Sequence, residues 1–185
     1  MYYKKILAAA LTVSCIGGIV PANSVQAASL KIRYSGKTRY YKGKQLHVSY
    51  ANKNLSSKYV GIQINKVNMI PYYDYLVKQG PKVKRTYSKS SGKLILKNGD
   101  DTLTAYVGKR TYYLNGVKKT FSVAPTKVKY YKTKKTIILI PANAIVKGLG
   151  LNYKYSSSSK RIYITQPVIP SDSTTQVQTQ PSGSV

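Results

Sequence analysis

Residues 30 to 50, "LKIRYSGKTRYYKGKQLHVSY", alternate apolar and polar side chains in short runs broken at Gly36 and Gly43. A period of two marks strands with one buried face, so the stretch predicts two or three strands of a meander. His47, the one histidine, falls between Leu46 and Val48 and is expected on the opposite, solvent-facing side. "ANKNLSS" reads as loop, and "YVGIQINKVNMI" returns to extended chain.

The period changes after Ile70. Pro71 suits the start of a helix, Tyr72, Tyr75 and Leu76 follow at i, i+3, i+4 spacing, and Gly80-Pro81 supplies the stop. "KVKRTY" and "KLILKNG" then predict strands around the turn "SKSSG". "DTLTAYVG", "TYYLNG" and "VKKTFSVAP" continue as strands, with Asn115-Gly116 as a hairpin turn. The same grammar returns 70 residues later, where Ile140-Pro141, Gly150 and Lys154 stand for Ile70-Pro71, Gly80 and Lys84. Ala142, Ile145, Val146 and Leu149 form the stripe of a helix buried on one side, and "NYKY" and "RIYIT" bracket "SSSSK". The predicted fold class is therefore α+β, mostly antiparallel sheet with two short helices in a duplicated strand-helix-hairpin unit.

The two ends break this pattern. Lys4 and Lys5 precede an apolar run from Ile6 to Val20, and Val25-Gln26-Ala27 offers the small residues of a cleavage site, so residues 1–27 are expected to be a signal peptide. Cys15 lacks the Leu three positions before it that a lipid-attachment site would show. With cleavage after Ala27 no cysteine remains, which excludes disulfides and thiolate metal sites from the expected mature chain. No later stretch is apolar enough to span a membrane. Residues 28–59 are expected to form the N-terminal meander and 60–166 the main domain. Residues 167–185, rich in Gln, Ser, Thr and Pro, cannot bury enough apolar surface to fold.

Composition changes the picture from packing to partners. The chain carries 31 Lys and Arg against four acids, for a formal net charge of +27, and removing Lys4 and Lys5 leaves 29 of those cations. A field of this kind attracts polyanions. Nineteen tyrosines, no tryptophan and a single phenylalanine suit strand faces that cover apolar area while keeping a hydroxyl wet.

The stretch "YLNGVKKTFSVAPTKVKYYKTKKTIILIPANAIVKGLGLNYKYSSSSKRIYI", residues 113 to 164, resembles the copper amine oxidase N-terminal-like domain of secreted bacterial proteins. Asn115-Gly116, Val123-Ala124-Pro125, Ile140-Pro141, Leu149-Gly150 and the strand-turn-strand from Tyr153 to Ile164 carry the resemblance, and residues 60 to 98 fit the first half of the same module. The resemblance implies an α+β accessory stalk, separate from the oxidase core. Tyr72-Tyr73 and Ala142-Asn143 stand where the family often has a basic residue after its proline, so no binding role carries over to those positions.

Enzyme chemistries fail on their residues. Asn152-Tyr153 is followed by Lys154 where true oxidases have an acid, and a single histidine cannot furnish a His-rich copper site. No Glu is present, Asp100 and Asp101 are adjacent on a turn, and Asp74 falls on a helix, so no paired carboxylates are available for hydrolysis. A triad could use only His47, which has no nucleophile elbow near it. The reading is non-enzymatic, with no cofactor.

Cations interleaved with tyrosines remain. In "KVKYYKTKK", Lys127 and Lys129 share a strand face with Tyr131, and Lys132, Lys134 and Lys135 extend the charge into a turn. Lys82 and Lys84 fall on one face with Val83 and Arg85 on the other, while Lys154, Lys160 and Arg161 belong to the last hairpin. The expectation is an exported, cell-wall-associated module that binds anionic envelope polymers, teichoic-type or acidic polysaccharide, through a Lys/Tyr sheet face. The alternative is a stalk-like structural domain with a protein partner and no polyanion ligand; nucleic acid is disfavoured, since no reading motif is present.

Overall fold

The structure, a computed structural model, describes residues 29–168. The expected signal peptide, Cys15 and nearly all of the polar tail lie outside the described residues. β1 (Leu30–Tyr34) and β2 (Lys37–Tyr41) form a hairpin around Ser35 and Gly36, both at positive φ, a turn whose twist matches that of its strands. β3 (His47–Tyr50) leaves them. It pairs antiparallel with β4 (Lys53–Leu55) and parallel with β15 (Arg161–Thr165), whose other neighbour is β14 (Asn152–Ser156). The meander expected over residues 30 to 50 is thus a hairpin followed by a strand of another sheet. Alternation shows which face of a strand is buried and is silent about its neighbour. His47 is exposed, as its alternation requires.

β5 (Ile62–Ile64), β6 (Val67–Pro71), β12 (Thr126–Tyr130) and β13 (Lys135–Pro141) complete a six-stranded sheet in the order β2-β1-β12-β13-β6-β5. β7 (Lys84–Tyr87), β8 (Lys93–Asn98), β9 (Asp101–Tyr106), β10 (Thr111–Leu114) and β11 (Val117–Thr120) follow one another in a five-stranded antiparallel sheet. Asn115 and Gly116 form the β10–β11 turn at φ 49° and 81°. Mostly antiparallel sheet with two helices makes the fold α+β.

The first helix is wider than its spacing suggests. Tyr73–Gln79 is π-helical, and the Gly80 N–H donates to the Tyr75 carbonyl five residues back at 3.1 Å. A side chain on Gly80 would collide with that carbonyl. α1 (Ala142–Gly148) is α-helical and ends at Gly150, φ +69°, with the Leu151 N–H donating to the Val146 carbonyl at 3.1 Å. Pro71 and Pro141 close β6 and β13, and Pro141 is at the same time the N-cap of α1. The fixed φ of proline, −64° at Pro141, serves as both strand end and helix entry.

Ile70 of β6 pairs with Ile140 of β13 in the interior of the six-stranded sheet, and both are fully buried. Burial of one such side chain contributes about 1.5 to 3 kcal/mol. Their face meets Tyr72, Tyr75 and Leu76, the helical stripe Ala142, Ile145, Val146 and Leu149, and the inner faces of the other two sheets, including Leu94, Leu103, Val48 and Ile162. Met69 and Leu139, one position along, point the other way into a smaller core with Ile32, Val128 and Tyr130. The six-stranded sheet therefore feeds two cores.

Candidate functional site

The sheet face that carries Ile70 and Ile140 does not stay buried along its width. Ile138, on the same face of β13, lies opposite Lys127 of β12, and Thr136 lies opposite Lys129. Lys129 is in turn opposite Arg33 of β1, which is opposite Thr38 of β2. Lys31, two residues before Arg33, is opposite Tyr40. Directly paired residues share a face, so one side of β13-β12-β1-β2 passes from apolar core to a field of Lys31, Arg33, Lys127 and Lys129. The opposite side of these strands carries Ile32, Val128 and Tyr130, all buried. Packing on that side fixes which way the cations point.

A groove of about 650 Å³ runs beside this field. Arg33 and the Ser35-Gly36 turn form one wall, the Lys89 to Gly92 turn and Val107-Gly108 form the other, and Lys127 and Lys129 contribute from β12. Four lining residues are cations and none is acidic. Among the described acids, Asp74 accepts from the Ser57 hydroxyl and Asp101 from Asn115 Nδ2 at 2.9 Å, both neutral donors.

Tyrosines border the cations. Lys31 Nζ stands 5.4 Å from the Tyr40 ring centroid and 5.1 Å from that of Tyr131, and Lys129 Nζ is 5.5 Å from Tyr131. The Tyr131 hydroxyl lies 3.0 Å from Thr38 Oγ1. This hydrogen bond, helped by Lys129, Arg33 and Lys31, pulls the Tyr131 pKa below the ordinary phenol value. Elsewhere burial acts in the opposite direction, pushing Tyr75 up to about 12 and raising Tyr130 further. The face therefore offers ammonium and guanidinium donors beside flat rings, and the groove adds the hydroxyls of Ser90 and Ser91.

The cations singled out from the sequence divide among three sheets. Lys127 and Lys129 lie on the face, and Lys132, Lys134 and Lys135 follow at the β12–β13 turn, with Lys134 at positive φ and Lys135 opposite Tyr130. Lys82 precedes β7 and bonds back to the Lys78 carbonyl, and Lys84 is opposite Lys97 on the five-stranded sheet. Arg85 lies 4.8 Å over the Tyr73 ring. Lys154, Lys160 and Arg161 are on the four-stranded sheet, where Arg161 Nη1 donates to Ser49 Oγ at 3.0 Å and Asn54 Oδ1 at 2.5 Å. Lys31, Arg33, Tyr40 and Lys89, which the sequence reading passed over, join Lys127 and Lys129 instead. "KIR" in β1 has the same cation-apolar-cation pattern as "KVK" in β12, a signal that becomes specific only when the two strands are known to be neighbours.

Residues 50–164 match the family model for the copper amine oxidase N-terminal domain. The chain belongs to this family. A copper amine oxidase N-terminal domain is a non-catalytic accessory domain. In this copper amine oxidase N-terminal domain protein the match takes in β4 to β15, whereas β1 and β2, with Lys31 and Arg33, precede it. No curated protein and no solved structure matches the chain. Among the described residues no three His, Cys, Asp or Glu side chains gather as a metal site, and no helix is long and apolar enough to cross a membrane.

Proposed function

We propose that the protein is a non-catalytic, exported module that binds anionic polymers of the cell envelope, teichoic-type chains or acidic polysaccharide, through the β2-β1-β12 face and its groove. The observation that carries this reading is the direct pairing of Arg33 with Lys129 beside a groove lined by four cations and no acid. Like charges in register oppose strand pairing, and a bridging anion removes the repulsion. Tyr40 and Tyr131 offer ring faces to the sugars of such a polymer, while the cations hold its phosphates or carboxylates. The leader-like residues 1–27 support the envelope as the place where these polymers are met.

The scaffold beneath this face is read as a duplicated strand-helix-hairpin unit. Its support is the order β6, π-helix, β7, β8 set against β13, α1, β14, β15. The two serine turns also correspond, with Ser88 Oγ 3.1 Å from Ser90 Oγ and Ser156 Oγ 3.0 Å from Ser158 Oγ.

Retention of the purified protein on isolated cell wall, with and without teichoic-type polymers and across a salt series, tests the proposal. Charge-driven binding weakens steeply with salt as the advantage of counterion release falls. Retention that is absent at low salt, or unchanged at high salt, overturns it. A second reading, a stalk-like interaction domain, is favoured by membership in an accessory-domain family. It predicts a single protein partner and indifference to wall polymer.

A further inference from the structure

A second cleft, of about 440 Å³, opens at the other end of β1 from the groove. The six-stranded sheet curls to form it, since the Gln63 N–H on one edge strand donates to the Tyr41 hydroxyl at the opposite edge at 2.8 Å. Leu30, Val60 and Tyr130 of the smaller core supply its apolar wall, and Lys31, Lys58 and Lys132 line it with no acid. Its volume and its place, at the mouth of a curled sheet, are those of a ligand site. The wall is closed. Tyr130 is buried, its hydroxyl donates to the Val60 carbonyl at 2.6 Å, and Tyr59 packs edge-on against its ring. An apolar tail therefore has no way in, and the cleft suits a compact anionic group held by ammonium donors. Asp74 lines a neighbouring cleft that Lys58 also borders, and it accepts from the Ser57 hydroxyl, a neutral donor.

Lys31 joins this cleft to the cationic face. It lines the cleft, and its Nζ stands 5.4 Å from the Tyr40 ring centroid and 5.1 Å from that of Tyr131, on the side that carries Arg33 and Lys129. β12 leads the same way, from Lys127 and Lys129 in the groove to Lys132 in the cleft. The five residues of β1 separate the two clefts, a span of about 17 Å at about 3.4 Å per residue. Charges act through physiological salt over only about 8 Å. Cations at one cleft therefore do little for an anion in the other, and only a ligand that reaches across both uses them together. A linear chain with an anionic group at every repeat has that reach, and the effective concentration of its second contact raises affinity with no new chemistry.

We propose that the cleft of Lys31, Lys58 and Lys132 is a second anion subsite, and that one polymer chain lies along β1 and β12 to fill it and the groove together. This rests on the reading of the face as a polyanion site. The full chain is titrated, across a salt series, with glycerol phosphate oligomers and with glucuronate oligomers of graded length. Oligomers shorter than β1 are expected to saturate at two per protein. Those that run past both its ends should saturate at one, and bind at least tenfold tighter. The series that shows this step, phosphate or carboxylate, identifies the anion. Lys58→Ala/Lys132→Ala should leave one short oligomer per protein, abolish the advantage of length and reduce the salt slope for long oligomers by about 1.5. Lys58→Arg/Lys132→Arg should behave as the parent chain does. Affinity that rises evenly with length overturns the proposal, as does a Lys58→Ala/Lys132→Ala variant that binds long oligomers as tightly as the parent. If Lys127→Ala/Lys129→Ala alone weakens them, the subsite falls and the groove stands. If neither pair matters, the reading of the face falls with it.

Discussion

Lys129 and Arg33 face each other across the β1–β12 ladder, two like charges in register at the edge of a groove that no carboxylate lines. Ile32, Val128 and Tyr130 on the other side of the same strands hold the pair together. Such opposition costs a few tenths to about 1 kcal/mol. Lys129→Thr is therefore expected to stabilise the free protein by up to about 1 kcal/mol while lowering its retention on wall polymer. Denaturant unfolding with and without polymer reads both effects, and a destabilised variant that still binds as before would contradict the assignment.

The salt response should be local. Each cation that engages one anionic group contributes about 0.7 to 0.9 to the slope of log affinity against log salt. The Lys127→Ala/Lys129→Ala pair is expected to reduce that slope by about 1.5 for a teichoic-type polymer. Lys154→Ala, on β14 of a different sheet, should leave it unchanged. Equal slopes for the two variants would mean that charge acts without a defined face.

Alkali should unfold the protein through its buried phenols. Tyr75 titrates near 10.0 in the unfolded chain and at about 12 in the fold, chiefly because burial disfavours its phenolate. The unfolded state thus loses its proton first. The stabilisation is complete below pH 10 and is lost as pH rises toward 12, to the extent of about 2 to 3 kcal/mol from this residue. Tyr130 shifts in the same direction. Thermal unfolding followed by circular dichroism from pH 8 to 12 checks this, and Tyr75→Phe should flatten the decline.

Ile140 makes a purely structural test. It is fully buried where the six-stranded sheet meets α1, and its removal leaves a cavity among close-packed neighbours. Ile140→Ala is expected to cost about 2 to 5 kcal/mol. Measured in urea, the midpoint should fall while salt-dependent retention at a temperature where the variant is folded stays as it was.

The buried faces were legible in the sequence. Tyr72, Tyr75 and Leu76, and the stripe Ala142, Ile145, Val146 and Leu149, are all buried as their spacing requires. The turns at Ser35-Gly36 and Asn115-Gly116 adopt the positive φ that their residues suggest. The hairpins at Asn115-Gly116 and at the two serine turns were legible as well, but long-range neighbour relations were not, because β1 pairs with β12 and β3 with β15 across most of the chain. The candidate site suffered most from this. Lys127, Lys129 and Tyr131 could be placed on one face from "KVKYY", but Lys31 and Arg33 join them only through the long-range pairing of β1. Arg161 looked like a free cation and is instead tied to Ser49 and Asn54.

β15 occupies an interior place in its sheet, between β14 and β3, and β12 and β13 separate β1 from β6. During ribosomal synthesis, only the five-stranded sheet, β7 to β11, can be completed from strands made in succession. The other two sheets must wait for the final strands, and contacts between such distant segments form slowly. Two of the three sheets are thus left incomplete until the strands of residues 126–165 have been made, so the central sheet and its two cores close last.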